Sequence, residues 1–287
     1  MKLAGRNAII TGASQGLGEA IAAEFIKNGA SVAICARDSA KLAAVESKLK
    51  ALAQKEQKII AVKADVSAES DANNFIGQGI KAFGKVDIFV NNAGIYGPKG
   101  AVEDVDSADW AKAIQINLCG TFYCCKHIVG HMKKNRYGKI INLSGGGATA
   151  PLPFISAYAA SKAAVIRLTE TIAGECEGFK VDINAVAPGA LNTRLLEEVL
   201  QAGPQKVGKK FYERAVKQKE EGGVPLNLGA SLCVFLASSE SDGITGKLIS
   251  AQWDPWKNLA KYREELMQSD IYTLRRIVPA DRGKKWD

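Results

Sequence analysis

Six segments that are apolar almost without interruption constrain this chain more than any other feature. They are Asn7 to Thr11, Ser31 to Cys35, Lys58 to Lys63, Val86 to Val90, Lys139 to Leu143 and Val181 to Val186, with a seventh strand candidate at Lys247 to Ala251. A strand with one wet face alternates apolar and polar residues, whereas a strand covered on both faces does not. The runs therefore predict strands in the middle of a layered structure. Between them lie segments with helical patterning near 16–28, 39–54, 68–83, 107–134, 156–176 and 226–237. Repeated strand–helix–strand order predicts a parallel sheet with right-handed crossovers and helices on both faces, a doubly wound, three-layer α/β/α fold. No repeat or low-complexity linker divides the 287 residues, so one domain over 1–251 is expected. Residues 194–224 are charged and helical in composition and read as an insertion after the sixth strand. Residues 252–287 carry Trp253, Trp256, Tyr262, Tyr272 and Trp286, an aromatic density that predicts an extension packed on the domain.

Composition narrows the partners. A net charge of +8 and a pI near 9.1 favour anionic ligands such as a phosphorylated cofactor. The loop "HMKKNRYGK" is basic, but no stacking platform accompanies it, so no nucleic-acid partner is expected. No apolar stretch approaches the ~18 residues of a membrane span, and the start "MKLAGRNAII" lacks a secretory pattern, so a cytoplasmic protein with no membrane partner is expected. The cysteines Cys35, Cys119, Cys124, Cys125, Cys176 and Cys233 form no C-x-x-C pair and predict reduced thiols. His127 and His131 are four residues apart with no third ligand in view, so no metal site is expected.

The stretch "TGASQGLG", Thr11 to Gly18, follows the first strand and opens the first helix. Glycines there permit a tight turn and close approach of a pyrophosphate to a helix N-terminus, as in Rossmann-like folds. The spacing is Gly12-x-x-x-Gly16-x-Gly18. Further along come "NNAG" at Asn91 to Gly94, Asn117 within "IQINLCGTFYCC", Tyr158-x-x-x-Lys162 within "YAASK", and "PGALNT" at Pro188 to Thr193. In this order the motifs resemble the short-chain dehydrogenase/reductase (SDR) family over roughly residues 5–250. The resemblance implies a nicotinamide cofactor held by Gly12, Ser14, Gln15, Gly16, Leu17, Gly18, Asp65, Val66, Asn91, Ala93, Tyr158, Lys162, Pro188, Gly189 and Thr193. NAD-preferring members carry an acidic residue at the end of the second strand; here Ala36 stands there and Arg37 follows. A guanidinium can pair bidentately with a 2′-phosphate, so NADP(H) is expected to be preferred, with NAD(H) as the other option.

Tyr158 and Lys162, four apart, share one face of a helix. An ammonium beside a phenol should lower its pKa. By the resemblance, Tyr158 exchanges the proton of a carbonyl/alcohol pair, Lys162 also orients the cofactor, and Asn117 holds a water behind the lysine. The family serine that bonds the substrate oxygen normally lies thirteen residues before the tyrosine, which here is Gly145. Ser144, one place earlier, is the candidate that could swing into the role; Thr149, Ser156 or the Gly145 N–H could replace it. A catalytic Ser144 predicts that Ser144→Ala lowers kcat/KM at least ~10-fold.

The expected function is an NADP(H)-dependent oxidoreductase on a small-molecule ketone, aldehyde or alcohol, with 194–224 shaping the substrate loop. The alternative is a cofactor-binding scaffold or sensor with little turnover, motivated by Gly145. A nucleotide-sugar epimerase or dehydratase fits the glycine spacing less well. The family also implies a homodimer or homotetramer.

Overall fold

The computed structural model describes residues 1–286. Strands β1 (Asn7–Thr11), β2 (Ser31–Ala36), β3 (Ile59–Lys63), β4 (Ile88–Asn91), β5 (Gly138–Leu143), β6 (Val181–Ala187) and β7 (Leu248–Ser250) form one sheet. Their order is β3-β2-β1-β4-β5-β6-β7, and every pairing is parallel. The helices are α1 (Gly16–Lys27), α2 (Ser39–Leu52), α3 (Glu69–Phe83), α4 (Ser107–Ile114), α5 (Gly120–Asn135), α6 (Ser156–Glu175), α7 (Arg194–Val207), α8 (Lys209–Glu221), α9 (Leu226–Ala237) and α10 (Arg263–Met267). The fold is the expected Rossmann-like, doubly wound one.

The continuous apolar runs have a direct cause. Ala8 and Ile10 face a core shared with Leu17, Ile21 and Phe25 of α1, Leu42 of α2 and Leu232 of α9. Ile9, between them, faces a second core with Phe75 of α3, Ile128 of α5 and Ile172 of α6. All three residues have 0% exposure, so the middle of β1 leaves no position for a polar residue. Strand order reverses between β1 and β4, and the crevice this opens at the carboxyl ends of the strands is where ligands of such sheets bind.

Three expectations need correction in detail. The segment 107–134 is not one regular α-helix: Gln115–Cys119 is a π-helical turn between α4 and α5. The wide turn carries Asn117, whose side chain is tied to the backbone of Ile95. The segment 194–224 is two helices, with α7 kinked at Gly203 (φ 76°) before Pro204. In the extension, aromatic density is only partly a sign of docking. Trp256 is buried against Phe235, but Trp253, Tyr262 and Trp286 are exposed.

Backbone and aliphatic contacts do the rest of that docking. Leu248 N–H donates to Tyr272 O at 2.8 Å, which covers the outer edge of β7. Leu274 N–H donates to Glu170 Oε1 at 2.6 Å, and Leu274 packs against the cluster of Ala148, Ile166 and Ala185. Deleting residues 270–287 is expected to remove about 2 kcal/mol of stability. A thermal melt should then show Tm lower by roughly 4–8 °C; an unchanged Tm means these contacts contribute nothing.

Candidate active site

The glycine turn is built against β4. Gly12 (φ 63°) and Gly16 (φ 62°) are left-handed, where a side chain is disfavoured. A Cβ on Gly18 would lie 2.4 Å from Asn92 Nδ2 and 2.5 Å from Gly12 O. Asn92 Nδ2 donates to Thr11 O (3.0 Å) and Gly12 O (2.9 Å), while Thr11 Oγ1 accepts from the N–H groups of Asn92 and Ala93. The "NNAG" segment is therefore a clamp on the turn. The N-cap of α1, Gln15, makes no side-chain hydrogen bond to the helix, so the N–H groups of the first turn remain for an anion.

That helix end opens on a cleft of about 820 Å³ along the switch point. Gly12, Ser14, Gln15, Gly16, Leu17, Gly18, Arg37, Asp65, Val66, Ala93, Tyr158, Lys162 and Thr193 line it, as does Ser144. Three expected cofactor residues are not among its lining residues. Asn91 is buried, donating from Nδ2 to Asn142 Oδ1 at 2.9 Å and so tying β4 to β5. Pro188 packs towards Gly229, and Gly189 lies under Val224. Sequence reasoning missed Asn92, Lys41, Ile95, Ile116, Leu191, Asn192 and Arg194, which also line the cleft. Asn92, Leu191 and Asn192 had a signal, because they stand inside the quoted motifs "NNAG" and "PGALNT".

A dinucleotide fits this donor set. The uncapped turn at Gly16 and Leu17 suits a pyrophosphate, and Asp65 and Val66 lie beside Arg37 at the end formed by β2 and β3. Thr193 leans over the turn, with its Cγ2 3.5 Å from where a Cβ on Gly16 would lie.

At the other end, α6 presents Tyr158 and Lys162, 7% and 5% exposed. Lys162 Nζ donates to Leu143 O at 2.7 Å and lies 5.7 Å from the centre of the Tyr158 ring. Burial pulls the Lys162 pKa down to about 8. Burial also pushes the Tyr158 phenol up, with the Tyr96 phenol adding to the rise. The expected lowering by the ammonium is thus outweighed: both groups are dehydrated, and each then favours its neutral form. Asn117 Oδ1 accepts from Ile95 N–H, and its Nδ2 donates to Ile95 O and Ser161 Oγ, each at 2.9 Å. A Cβ on Gly94 would touch both Asn117 Oδ1 (3.3 Å) and Lys162 Nζ (3.5 Å), so that glycine separates the two.

The serine question has a geometric answer. The Ser144 hydroxyl is directed to the Lys162 carbonyl, at a long 3.5 Å. The position aimed at Tyr158 is Gly145, where a Cβ would lie 2.1 Å from the phenolic oxygen. Of the other candidates, Thr149 is exposed, and Ser156 Oγ accepts from Trp110 Nε1 at 3.0 Å. His127 Nε2 meets Glu69 Oε1, and His131 Nε2 accepts from Val86 N–H.

An uncapped helix end at a sheet switch point receives a dinucleotide, and a dehydrated phenol at the far end of the same cleft can exchange a proton with a bound oxygen. The class these define is a dinucleotide-dependent oxidoreductase. Comparison with known proteins narrows the class: the family model described as short chain dehydrogenase matches residues 6–203, and the chain belongs to that family. The L-fucose dehydrogenase of Oryctolagus cuniculus is 33% identical over 84% of this chain and 81% of its own. Among solved structures, levodione reductase superposes with a TM-score of 0.80 at 26% identity, covering 90% of this chain and 99% of its own. NAD+-bound xylitol dehydrogenase gives 0.79 at 27%, covering 87% and 98%. The protein is an oxidoreductase that acts on alcohol/carbonyl substrates with a nicotinamide cofactor. No helix of the described residues is long and apolar enough to cross a membrane.

Proposed function

We propose that this chain is an NADP(H)-preferring reductase or dehydrogenase of small carbonyl/alcohol substrates, with Tyr158 as the proton-transfer group. When bound, the nicotinamide cofactor supplies or accepts the hydride. Tyr158 donates a proton to the carbonyl oxygen in reduction and removes one in oxidation. Lys162 has three donors and uses one on Leu143 O, which leaves two for the cofactor's ribose side. Asn117 holds the β4–α4 loop against the turn that follows α4. The second donor to the substrate oxygen is the Gly145 N–H, which has no acceptor among the described residues. Gly12, Ser14, Gln15, Gly16, Leu17, Gly18, Asp65, Val66, Ala93 and Thr193 hold the rest of the cofactor.

Arg37 carries the cofactor preference. Its guanidinium is more than half exposed at the cleft and only loosely engaged, 3.9 Å from Asp65 Oδ2. Ala36, ahead of it, offers no carboxylate to ribose hydroxyls. Asp38 is occupied as the N-cap of α2, accepting from Ala40 and Lys41 N–H. The xylitol dehydrogenase neighbour holds NAD+, so the preference rests on these side chains and not on kinship. Arg37→Ala is expected to lower kcat/KM for NADPH about 10–100-fold, the loss of one charge-assisted contact, while NADH changes less than about threefold. Steady-state kinetics with both cofactors checks this; wild-type preference for NADH overturns it. The relatives' names put sugars, polyols and cyclic ketones first among substrates to assay.

The chain is also proposed to self-associate, in a reducing compartment such as the cytoplasm. Six free thiols support the setting. Phe122 of α5 stays 44% exposed while the tail covers the β7 edge, so α5 is the favoured contact. Light scattering that returns the monomer mass of 30.6 kDa at micromolar concentration overturns the assembly.

A further inference from the structure

We propose that Tyr96 is a positioning residue for Tyr158, holding its phenol by edge-to-face packing; this rests on the reading of Tyr158 as the proton-transfer group. The two rings have centroids 4.7 Å apart and planes at 70°. The Tyr158 hydroxyl has no hydrogen-bond partner among the described residues, so its aim depends on what its ring touches. On the β5 side Gly145 provides no side chain, and the phenolic oxygen occupies the space one would fill. The aromatic contact on the ring comes from Tyr96.

Tyr96 is itself fixed from behind. It packs with Leu196 and Val199 of α7. Lys99 Nζ stands 5.7 Å from the centre of its ring, donates to Gly97 O, and pairs with Glu198 of α7 at 3.2 Å. Glu198 is held in turn by Arg194 at 2.7 Å. The β4–α4 loop is thereby latched to the substrate-loop helix, and Tyr96 lies between that helix and Tyr158. A proton donor works only within a few tenths of an ångström of its reach, and a misplacement of about 1 Å can cost ~10²-fold in rate.

Three variants test this: Tyr96→Ala, Tyr96→Phe and Tyr158→Phe, each assayed for kcat, for both KM values, and for cofactor Kd by NADPH fluorescence. Tyr96→Ala is expected to lower kcat at least ~30-fold, with cofactor Kd and carbonyl KM within about threefold. Tyr96→Phe keeps the ring and is expected to retain kcat within about threefold. The proposal is overturned if Tyr96→Ala keeps wild-type kcat, if only the carbonyl KM moves, or if Tyr96→Phe falls as far as Tyr96→Ala. Should Tyr96→Ala lose cofactor binding and thus its fold, Tyr96→Leu replaces it under the same expectations. Turnover surviving in Tyr158→Phe overturns the reading of Tyr158 itself, whatever Tyr96 does.

Discussion

Tyr158→Phe is expected to lower kcat/KM by about 10²- to 10⁴-fold while cofactor Kd stays within about twofold, the signature of a lost proton-transfer group. The ring and its packing on Tyr96 survive the change, so the loss isolates the hydroxyl. The pH dependence follows from the shifts in the cofactor-free protein. Burial raises the Tyr158 pKa, so the phenol keeps its proton through the neutral range and is ready to act as an acid. Burial lowers the Lys162 pKa to about 8, so its ammonium is present below that pH and lost above it. Carbonyl reduction is therefore expected to have a kcat/KM that is level below about pH 8 and falls as pH rises through it. Alcohol oxidation needs the phenol deprotonated, and because burial raises the phenol pKa its rise is expected at higher pH than the lysine titration. A reduction profile that climbs above pH 8 means that the lysine charge does not serve the step.

The sheet was legible because its cause is written locally: Ala8, Ile9 and Ile10 must all be apolar when each face of β1 carries a core. The order of motifs then placed the glycine turn, Tyr158 and Lys162 at the carboxyl ends of the central strands. What stayed hidden depends on direction rather than spacing. Asn91 and Asn92 are adjacent in one motif, yet strand alternation sends the first into the β4–β5 seam and lets the second clamp the turn. The π-turn at Gln115–Cys119 has no signature in a helical pattern, and the bond of Asn117 to Ile95 that accompanies it is a tertiary contact. The raised phenol pKa was unreadable because the sequence shows the nearby lysine but not the burial that outweighs it. Tyr96 follows a recognised motif by two residues, and its contact with Tyr158 exists only after the β4–α4 loop closes.

Gly145→Ser gives the family its usual serine position, and the expected result is a loss of about 10²-fold in kcat/KM rather than a gain. The Cβ would lie 2.1 Å from Tyr158 Oη and 3.1 Å from Cζ, so the phenol must move. Tyr96 already packs against that ring, with centroids 4.7 Å apart, so a shift of the phenol also disturbs this contact. Overpacking of this kind costs about 1–3 kcal/mol. If the strain is relieved by displacing the reacting hydroxyl, that range corresponds to a rate loss of about 5- to 160-fold, and the close 2.1 Å approach puts the expectation in its upper part. Gly145→Ala carries the same Cβ without a hydroxyl, so it is expected to lose as much as Gly145→Ser. Ser144→Ala removes a hydroxyl whose contact is only a long 3.5 Å approach to the Lys162 carbonyl. It is expected to change kcat/KM less than about threefold, against the ~10-fold loss a catalytic donor would show. Kinetics of the three variants separate the cases. Equal losses at position 145 with a silent Ser144 mean that the site is organised around an absent side chain. Higher activity in Gly145→Ser than in the wild type would mean that the phenol yields easily and that the missing donor was the limiting feature.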